Sequence, residues 1–366
     1  MLLNRTQKGF SLIELMISLT LGLLISAAVM QVYLTSIKTS SVQSGGTDIL
    51  EASIFGIQNI EKSIRLSNLG MADSNNPFTP LAGVIMTSDT SLVSASQTDK
   101  SKNNMNGIKM GGTVTSAGTD AIDAKYLTKS GIAASNITGL TSSQLTIQYE
   151  APQDMYDCEG TLVRGPIEIE RDGRLELIPG QVIVQRYYLR EVAQNDKSNY
   201  ESNIKSYELR CDAGRYVKEI LNPTELDLQK INDSTILKES RNIRDFGDAG
   251  EVVIPRVDYF GVRLGVEIID SSTSSVTLRY FTPEQYMSYL KDLSATSTIT
   301  TDIISVKLSA LVRADRPLTG ETGASNFIIF GEPKTLSADT SKAFIRRVYE
   351  SNIMLRNSRA IKESSI

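Results

Sequence analysis

The chain has 366 residues and a formal net charge of -4, from 38 Lys and Arg against 42 Asp and Glu. This near balance does not predict the basic surface that nucleic-acid binding needs, so no nucleic-acid contact is expected. Histidine is absent, which excludes histidine general bases, Ser-His or Cys-His nucleophile pairs and histidine-ligated zinc.

A long apolar segment comes first in the chain. Residues 10–34 are apolar or small apart from Glu14 and Gln31. As a helix they span about 37 Å, enough to cross a hydrocarbon core of about 30 Å. The preceding residues contain Arg5 and Lys8 and no acid, which predicts a cytoplasmic amino terminus and an exported body.

The residues of this segment allow three interpretations. It could be a secretory signal peptide cleaved near Ser26–Ala28, although the apolar run is long and contains an acid. It could be a plain transmembrane anchor, in which Glu14 is unexplained because an unpaired intramembrane carboxylate is costly. The third interpretation rests on the order of residues 9–14, which read G-F-S-L-I-E.

Helical periodicity continues beyond the apolar segment. We predict that the helix ends near Gly70 and no later than Pro77, with a kink or melted joint at Gly45 and Gly46, since two interior glycines cost about 2 kcal/mol. The apolar positions that carry this amphipathic continuation are Ile37, Val42, Ile49, Ile57, Ile60 and Ile64.

The composition changes from residue 88 to residue 143. This segment is rich in Ser, Thr, Asn, Gly and Ala, with Tyr126 as its one aromatic residue. Such a composition buries little apolar surface, so we predict loops and short edge strands on one face of the head. It is either a solvated insertion or a binding surface.

The remaining sequence predicts strands and one further helix. Ile304 to Val312 is apolar at every second position, which is typical of a half-buried strand. Thr282 and Gln285 form a capping box for a helix over Pro283–Leu293. The fold class is therefore α+β, a long N-terminal helix packed on a mostly antiparallel sheet. The predicted strands are Leu145–Tyr149, Val182–Val192, Lys205–Cys211, Tyr259–Ile269, Ser275–Phe281, Ile303–Ala314 and Phe344–Leu355.

Cys158 and Cys211 are the two cysteines of the chain, 53 residues apart. Both lie in the part assigned to the oxidising side of the membrane, so we expect them to pair. The crosslink would contribute at most about 4 kcal/mol to stability. Two buried thiols are the alternative; a metal site is disfavoured because two cysteines without a CxxC motif supply too few ligands.

Residues 9–14 read G-F-S-L-I-E, which resembles the processing signature of type IV pilins and the related pseudopilins. The resemblance implies that a prepilin peptidase and N-methyltransferase cuts between Gly9 and Phe10 and methylates Phe10. Glu14 would then neutralise the amine of a neighbouring subunit, although a carboxylate that snorkels to the headgroups is the alternative. The implied regions are a leader (1–9), a transmembrane and polymerisation helix (10–34), its amphipathic continuation (35–70) and a periplasmic head (71–366).

Seven later segments carry a second resemblance: Gln58–Ser74, Tyr156–Gly160, Val182–Leu189, Glu208–Asp212, Arg256–Val266, Val306–Leu318 and Arg346–Asn357. In order along the chain they resemble the PilW family of minor pilins. Members of this family join other minor pilins and a tip adhesin in the inner membrane, prime polymerisation of the major pilin and sit near the fibre tip. The resemblance therefore implies a pilus of the kind that serves twitching motility, adhesion and often DNA uptake, and Glu14 implies a subunit ahead of this one. The alternative is a minor pseudopilin of type II secretion.

Other chemistry has weak support. Ser202–Lys205 and Ser288–Lys291 fit the S-x-x-K pattern of some penicillin-binding enzymes, but no K-T-G accompanies them. A membrane-anchored periplasmic enzyme is therefore a distant alternative, and no cofactor is expected. Asp245, Asp248 and Glu251 could bind calcium, or they are an ordinary solvated turn.

Overall fold

The computed structural model describes residues 9–88, 103–105, 107–110, 120–171, 174–218, 242–293, 298–318, 322–338, 340–341 and 343–358. A helix of 55 residues, α1 (Leu12–Leu66), packs its second half against a head of mostly antiparallel sheets. The predicted α+β arrangement of a long N-terminal helix on a mostly antiparallel head is confirmed. The predicted leader lies outside the described residues, except for Gly9.

The described elements of the head are short strands and longer sheet strands, with one α-helix, α2 (Pro283–Asp292), and 3-10 turns at Ala124–Tyr126 and Gln194–Asp196. The strands are β1 (Lys109–Met110), β2 (Asp120–Ala121), β3 (Lys129–Ala133), β4 (Ser142–Glu150), β5 (Met155–Tyr156), β6 (Leu162–Val163), β7 (Ile167–Arg171), β8 (Arg174–Ile178), β9 (Val182–Glu191), β10 (Tyr207–Tyr216), β11 (Asn242–Ile243), β12 (Glu251–Ile254), β13 (Val257–Asp270), β14 (Ser275–Phe281), β15 (Ile299–Pro317), β16 (Asn326–Ile329), β17 (Glu332–Thr335) and β18 (Phe344–Met354).

Two sheets dominate the head. One has the order β12-β10-β9-β4-β3 and the other the order β14-β13-β15-β18. All seven predicted strands are present, with bounds that differ by a few residues. The predicted second helix is also confirmed, since Thr282 and Gln285 make both hydrogen bonds of the capping box.

Helix α1 continues through Gly45 and Gly46, so the predicted melted joint is wrong. Gly45 is buried because it lies where the helix first meets the sheet: a Cβ there would be 3.3 Å from Cδ1 of Ile345 and 3.4 Å from Cβ of Ala314. From this point Ile49, Ile60 and Ile64 are buried in the main core. The glycine thus permits close packing of helix on sheet.

The helix ends at Leu66, a few residues before the predicted end. Asn68 then adopts a positive φ of 68° and connects three chain segments. Its Nδ2 donates to the carbonyls of Ala72 and Asn357, both at 2.7 Å, and its Oδ1 accepts from the Gly83 N–H at 2.8 Å. The segment that follows the carboxyl-terminal end of α1 is therefore hydrogen-bonded to Asn357, near the end of the described chain.

The description of residues 88–143 as a solvated segment is wrong for much of its described part. Six of its apolar side chains are buried in a second core against β9, β10 and β11, and Ile137 is buried in a third cluster. Strand β3 also pairs with β4, although with an irregular register. Residues 89–102, 106 and 111–119 lie outside the described part. The buried members from this segment are Met105, Ile108, Ile122, Ala124, Tyr126 and Leu127.

Strand β15 is buried on both faces and not on one face as predicted. Leu308, Ala310 and Val312 face the main core, but Leu311 belongs to a third cluster on the opposite face. A register shift pairs Val266 with Ile303, while Gly265 pairs with Ser305, so the side-chain alternation changes at the bulge.

Candidate assembly segment and disulfide region of the head

The predicted cleavage site lies outside the helix. Gly9 and Phe10 precede α1, and the Phe10 side chain is 83% exposed. The peptide bond between them is therefore accessible in the isolated chain.

Glu14 takes part in a capping box that the sequence analysis missed. The Ser11 hydroxyl accepts a hydrogen bond from the Glu14 N–H at 3.2 Å, and Glu14 Oε2 accepts from the Ser11 N–H at 3.1 Å. The signal was present in S-L-I-E ahead of an apolar run. The carboxylate is thus held at the positive end of the helix dipole. The second carboxylate oxygen of Glu14, Oε1, has no hydrogen bond to a described residue. It can therefore bind a cationic group from outside the chain.

The membrane half of α1 has no covering in its own chain. The large apolar side chains from Phe10 to Leu34 are each at least 51% exposed. By length and composition α1 can span a membrane. This uncovered surface has to be covered by lipid or by other helices.

A disulfide joins the turn between β5 and β6 to β10, the strand next to the β12 edge of the five-stranded sheet. Cys158 and Cys211 are bonded with their Cα atoms 6.2 Å apart, and Cys211 on β10 is fully buried. Because β5 and β6 pair only with each other, the crosslink fixes this hairpin on the sheet.

Three carboxylates gather beside the disulfide. Oxygens of Glu159, Asp212 and Asp248 lie within 4.8 Å of one another. Asp212 also accepts from Arg186 Nη2 at 2.7 Å. Burial, followed by the charges of Asp248 and Asp212, raises the pKa of Glu159 to about 7. The Glu159 carboxylate therefore takes up a proton near neutral pH.

The three acids considered for calcium do not form one site. Asp245 pairs with Arg215 at 2.9 Å, and Glu251 begins β12. Only Asp248 of the three belongs to the carboxylate group beside the disulfide. Glu159 and Asp212, the other two members of the carboxylate group, directly follow the two cysteines in sequence. The fold brings them next to Asp248.

Comparison with known proteins gives matches at both ends of the chain. Residues 4–30 match the family model described as "Prokaryotic N-terminal methylation motif", and residues 229–357 match "Type IV Pilus-assembly protein W". A type IV-like pilin from Thermus thermophilus, TTHA1219, is similar over 64% of this chain and 83% of its own, with 12% identity and a TM-score of 0.24. That score is too low to support an argument. No curated protein sequence matches this chain.

A methylation motif on an uncovered apolar helix, followed by an antiparallel head, defines a type IV pilin-like protein. Residues 229–357 are in addition similar to the PilW family.

Proposed function

We propose that this protein is a minor pilin that joins other minor pilins and a tip adhesin in a priming complex of the inner membrane. The complex starts polymerisation of the major pilin and then stays at or near the fibre tip. The observation that carries the proposal is the division of α1. Its first half is uncovered over Phe10 to Leu34, while its second half is built into the head from Gly45 onward.

The start of α1 supports processing and docking. The exposed Gly9–Phe10 bond is the substrate of a prepilin peptidase and N-methyltransferase, and Phe10 becomes the methylated first residue. Glu14 then accepts the amine of a neighbouring subunit, which an apolar environment makes favourable. Because Glu14 needs the amine of another subunit as its partner, one subunit has to precede this one in the assembly. The role is structural and not catalytic.

Mass spectrometry of sheared surface fibres tests this function, together with deletion of the gene. We expect substoichiometric amounts of the protein in the fibre fraction, and loss of piliation and twitching in the deletion strain. Intact pili combined with blocked protein secretion would overturn the proposal and favour a pseudopilin of type II secretion.

A further inference from the structure

A cleft opens where the uncovered half of α1 meets the head. It has a volume of about 420 Å³. Its helix side carries the hydroxyls of Ser40, Ser41 and Ser44, and its head side carries Tyr200 and Arg316. Four of these five residues are thus hydroxyl donors and the fifth is a cation.

The position of the cleft along α1 corresponds to the membrane surface. Ser40 lies six residues, or about 9 Å, beyond Leu34 at the end of the apolar segment. The headgroup regions add about 5–8 Å to each side of the hydrocarbon core. A chain inserted with Leu34 at the edge of the hydrocarbon core therefore holds Ser40 within about 1–4 Å of the outer boundary of the headgroup region.

The charge of Arg316 is available to a ligand. Arg316 is exposed and has no hydrogen bond or ion pair with any described residue. The acid next to it, Asp315, forms a salt bridge with Arg256, with Oδ1 2.6 Å from Nη2, and is thereby already paired. A guanidinium in this position suits the geometry of a phosphate.

The head side of the cleft is fixed from behind. Glu201, which follows Tyr200, is buried, and its Oε1 accepts from Arg313 Nη2 at 2.5 Å and from Ser206 Oγ at 2.9 Å. Arg313 lies on β15, the strand that also carries Arg316. A buried ion pair thus holds Tyr200 and Arg316 in one wall, so the cleft is formed before any ligand binds.

We propose that this cleft binds the phosphate of an anionic phospholipid headgroup. Arg316 supplies the charge, the serine hydroxyls donate hydrogen bonds, and Tyr200 takes the interfacial position that aromatic residues with a polar tip prefer. The inference rests on the membrane insertion of α1 that the proposed function requires. It adds a lipid contact that each subunit has to release when it leaves the membrane for the fibre.

The absence of Trp from the chain makes a direct test possible. The variant Tyr200→Trp places one fluorophore at the cleft. Full-length protein is reconstituted in phosphatidylcholine vesicles with increasing phosphatidylglycerol, a constant proportion of which carries a spin label near its headgroup. We expect quenching that grows with the anionic lipid. Adding Arg316→Gln should raise the phosphatidylglycerol fraction at half-maximal quenching about fivefold.

One control places the tryptophan at a different exposed tyrosine, and the other removes the charge of a different exposed arginine. Tyr156 is also more than half exposed and lines a cavity with Asn59 and Lys62, more than 20 Å further along α1 by the helical rise, so Tyr156→Trp should not be quenched. Arg279→Gln removes an exposed arginine from β14 and should leave the quenching of Tyr200→Trp unchanged.

The outcomes separate this inference from the proposed function. Protein that floats with the vesicles but shows no anionic-lipid-dependent quenching at Tyr200→Trp overturns the headgroup site and leaves membrane insertion intact. Protein that fails to float overturns both. Inorganic phosphate added to the protein in neutral micelles supplies the remaining arm: emission changes as large as those with lipid would assign the cleft to free phosphate and overturn the lipid site.

Discussion

The two halves of α1 are both rich in apolar residues, yet the fold uses them differently. Between Phe10 and Leu34 no large apolar side chain is buried, whereas Ile49, Ile60 and Ile64 are at most 2% exposed. The buried half is marked by glycines at close approach to the sheet, Gly45 and Gly56, in addition to its isoleucines. Apolar content therefore shows that a helix needs a cover, while Gly45 and Gly56 mark where its own chain provides one.

Cleavage at the start of the uncovered half gives the largest expected effect. Gly9→Val should leave a precursor that keeps residues 1–9, because the peptidase needs a small residue before the cut. Intact-mass analysis in cells with the prepilin peptidase measures this. Gly22→Val is the matched control, since a Cβ there has nothing within 4 Å. A normally processed Gly9→Val protein would contradict the prepilin assignment.

Glu14 separates docking from capping within the same half. Glu14→Gln keeps a side chain that can complete the capping box but removes the charge, while Glu14→Leu removes both. If Glu14 pairs with a neighbour's amine, both variants should insert normally and co-purify with partner minor pilins at least about tenfold less, a loss of about 1.4 kcal/mol. Wild-type recovery of Glu14→Gln would leave only the capping role.

The disulfide should stabilise the head and not the membrane half. The double variant Cys158→Ser, Cys211→Ser should lower the free energy of unfolding by about 2–4 kcal/mol. Thermal unfolding of full-length protein in detergent measures the loss, and vesicle flotation should be unchanged. Wild-type protein with reductant is the control for side-chain effects. An unaltered unfolding temperature in both would show that the hairpin is held by packing alone.

Two glycines of the buried half should respond in opposite directions to alanine. At Gly56 a Cβ would lie 2.3 Å from Cγ1 of Ile254 and 2.8 Å from the Val253 carbonyl, so Gly56→Ala should destabilise the protein by about 1–3 kcal/mol. At Gly46 nothing lies within 4 Å, so Gly46→Ala should stabilise it by up to about 1 kcal/mol through helix propensity. Equal effects in thermal unfolding would contradict the packing of α1.

The smallest expected effect depends on pH. Because burial raises the pKa of Glu159 to about 7 from 4.5, the folded state holds this proton more tightly than the unfolded state. Stability from this group is present below about pH 4.5 and is lost as pH rises toward and through 7. Since the group is partly exposed, Glu159→Gln should gain only about 1 kcal/mol over wild type at pH 8, and nothing at pH 4. Parallel unfolding curves at both pH values would contradict the shift.

Sequence periodicity predicted both helices and the seven longest strands because these elements are local patterns, whereas short strands such as β7, β8, β16 and β17 were not predicted. β14 and the cap of α2 were found from alternation and from Thr282 with Gln285. The contacts between elements were not predictable in the same way. Gly45 looked like a helix breaker until Ala314 and Ile345 were placed beside it. Glu159 and Asp248 are distant in sequence, so no spacing rule joins them.

The hydrogen bonds at the carboxyl-terminal end of α1 determine how the molecule bears a mechanical load. Asn68 binds the carbonyls of Ala72 and Asn357, and Glu61 accepts from the Ser351 hydroxyl at 2.5 Å. A subunit held by its helix and pulled by its head is thus loaded along the contact of α1 with β15 and β18. Tension in this direction shears many contacts together and does not peel them one at a time, so the geometry suits a subunit under traction.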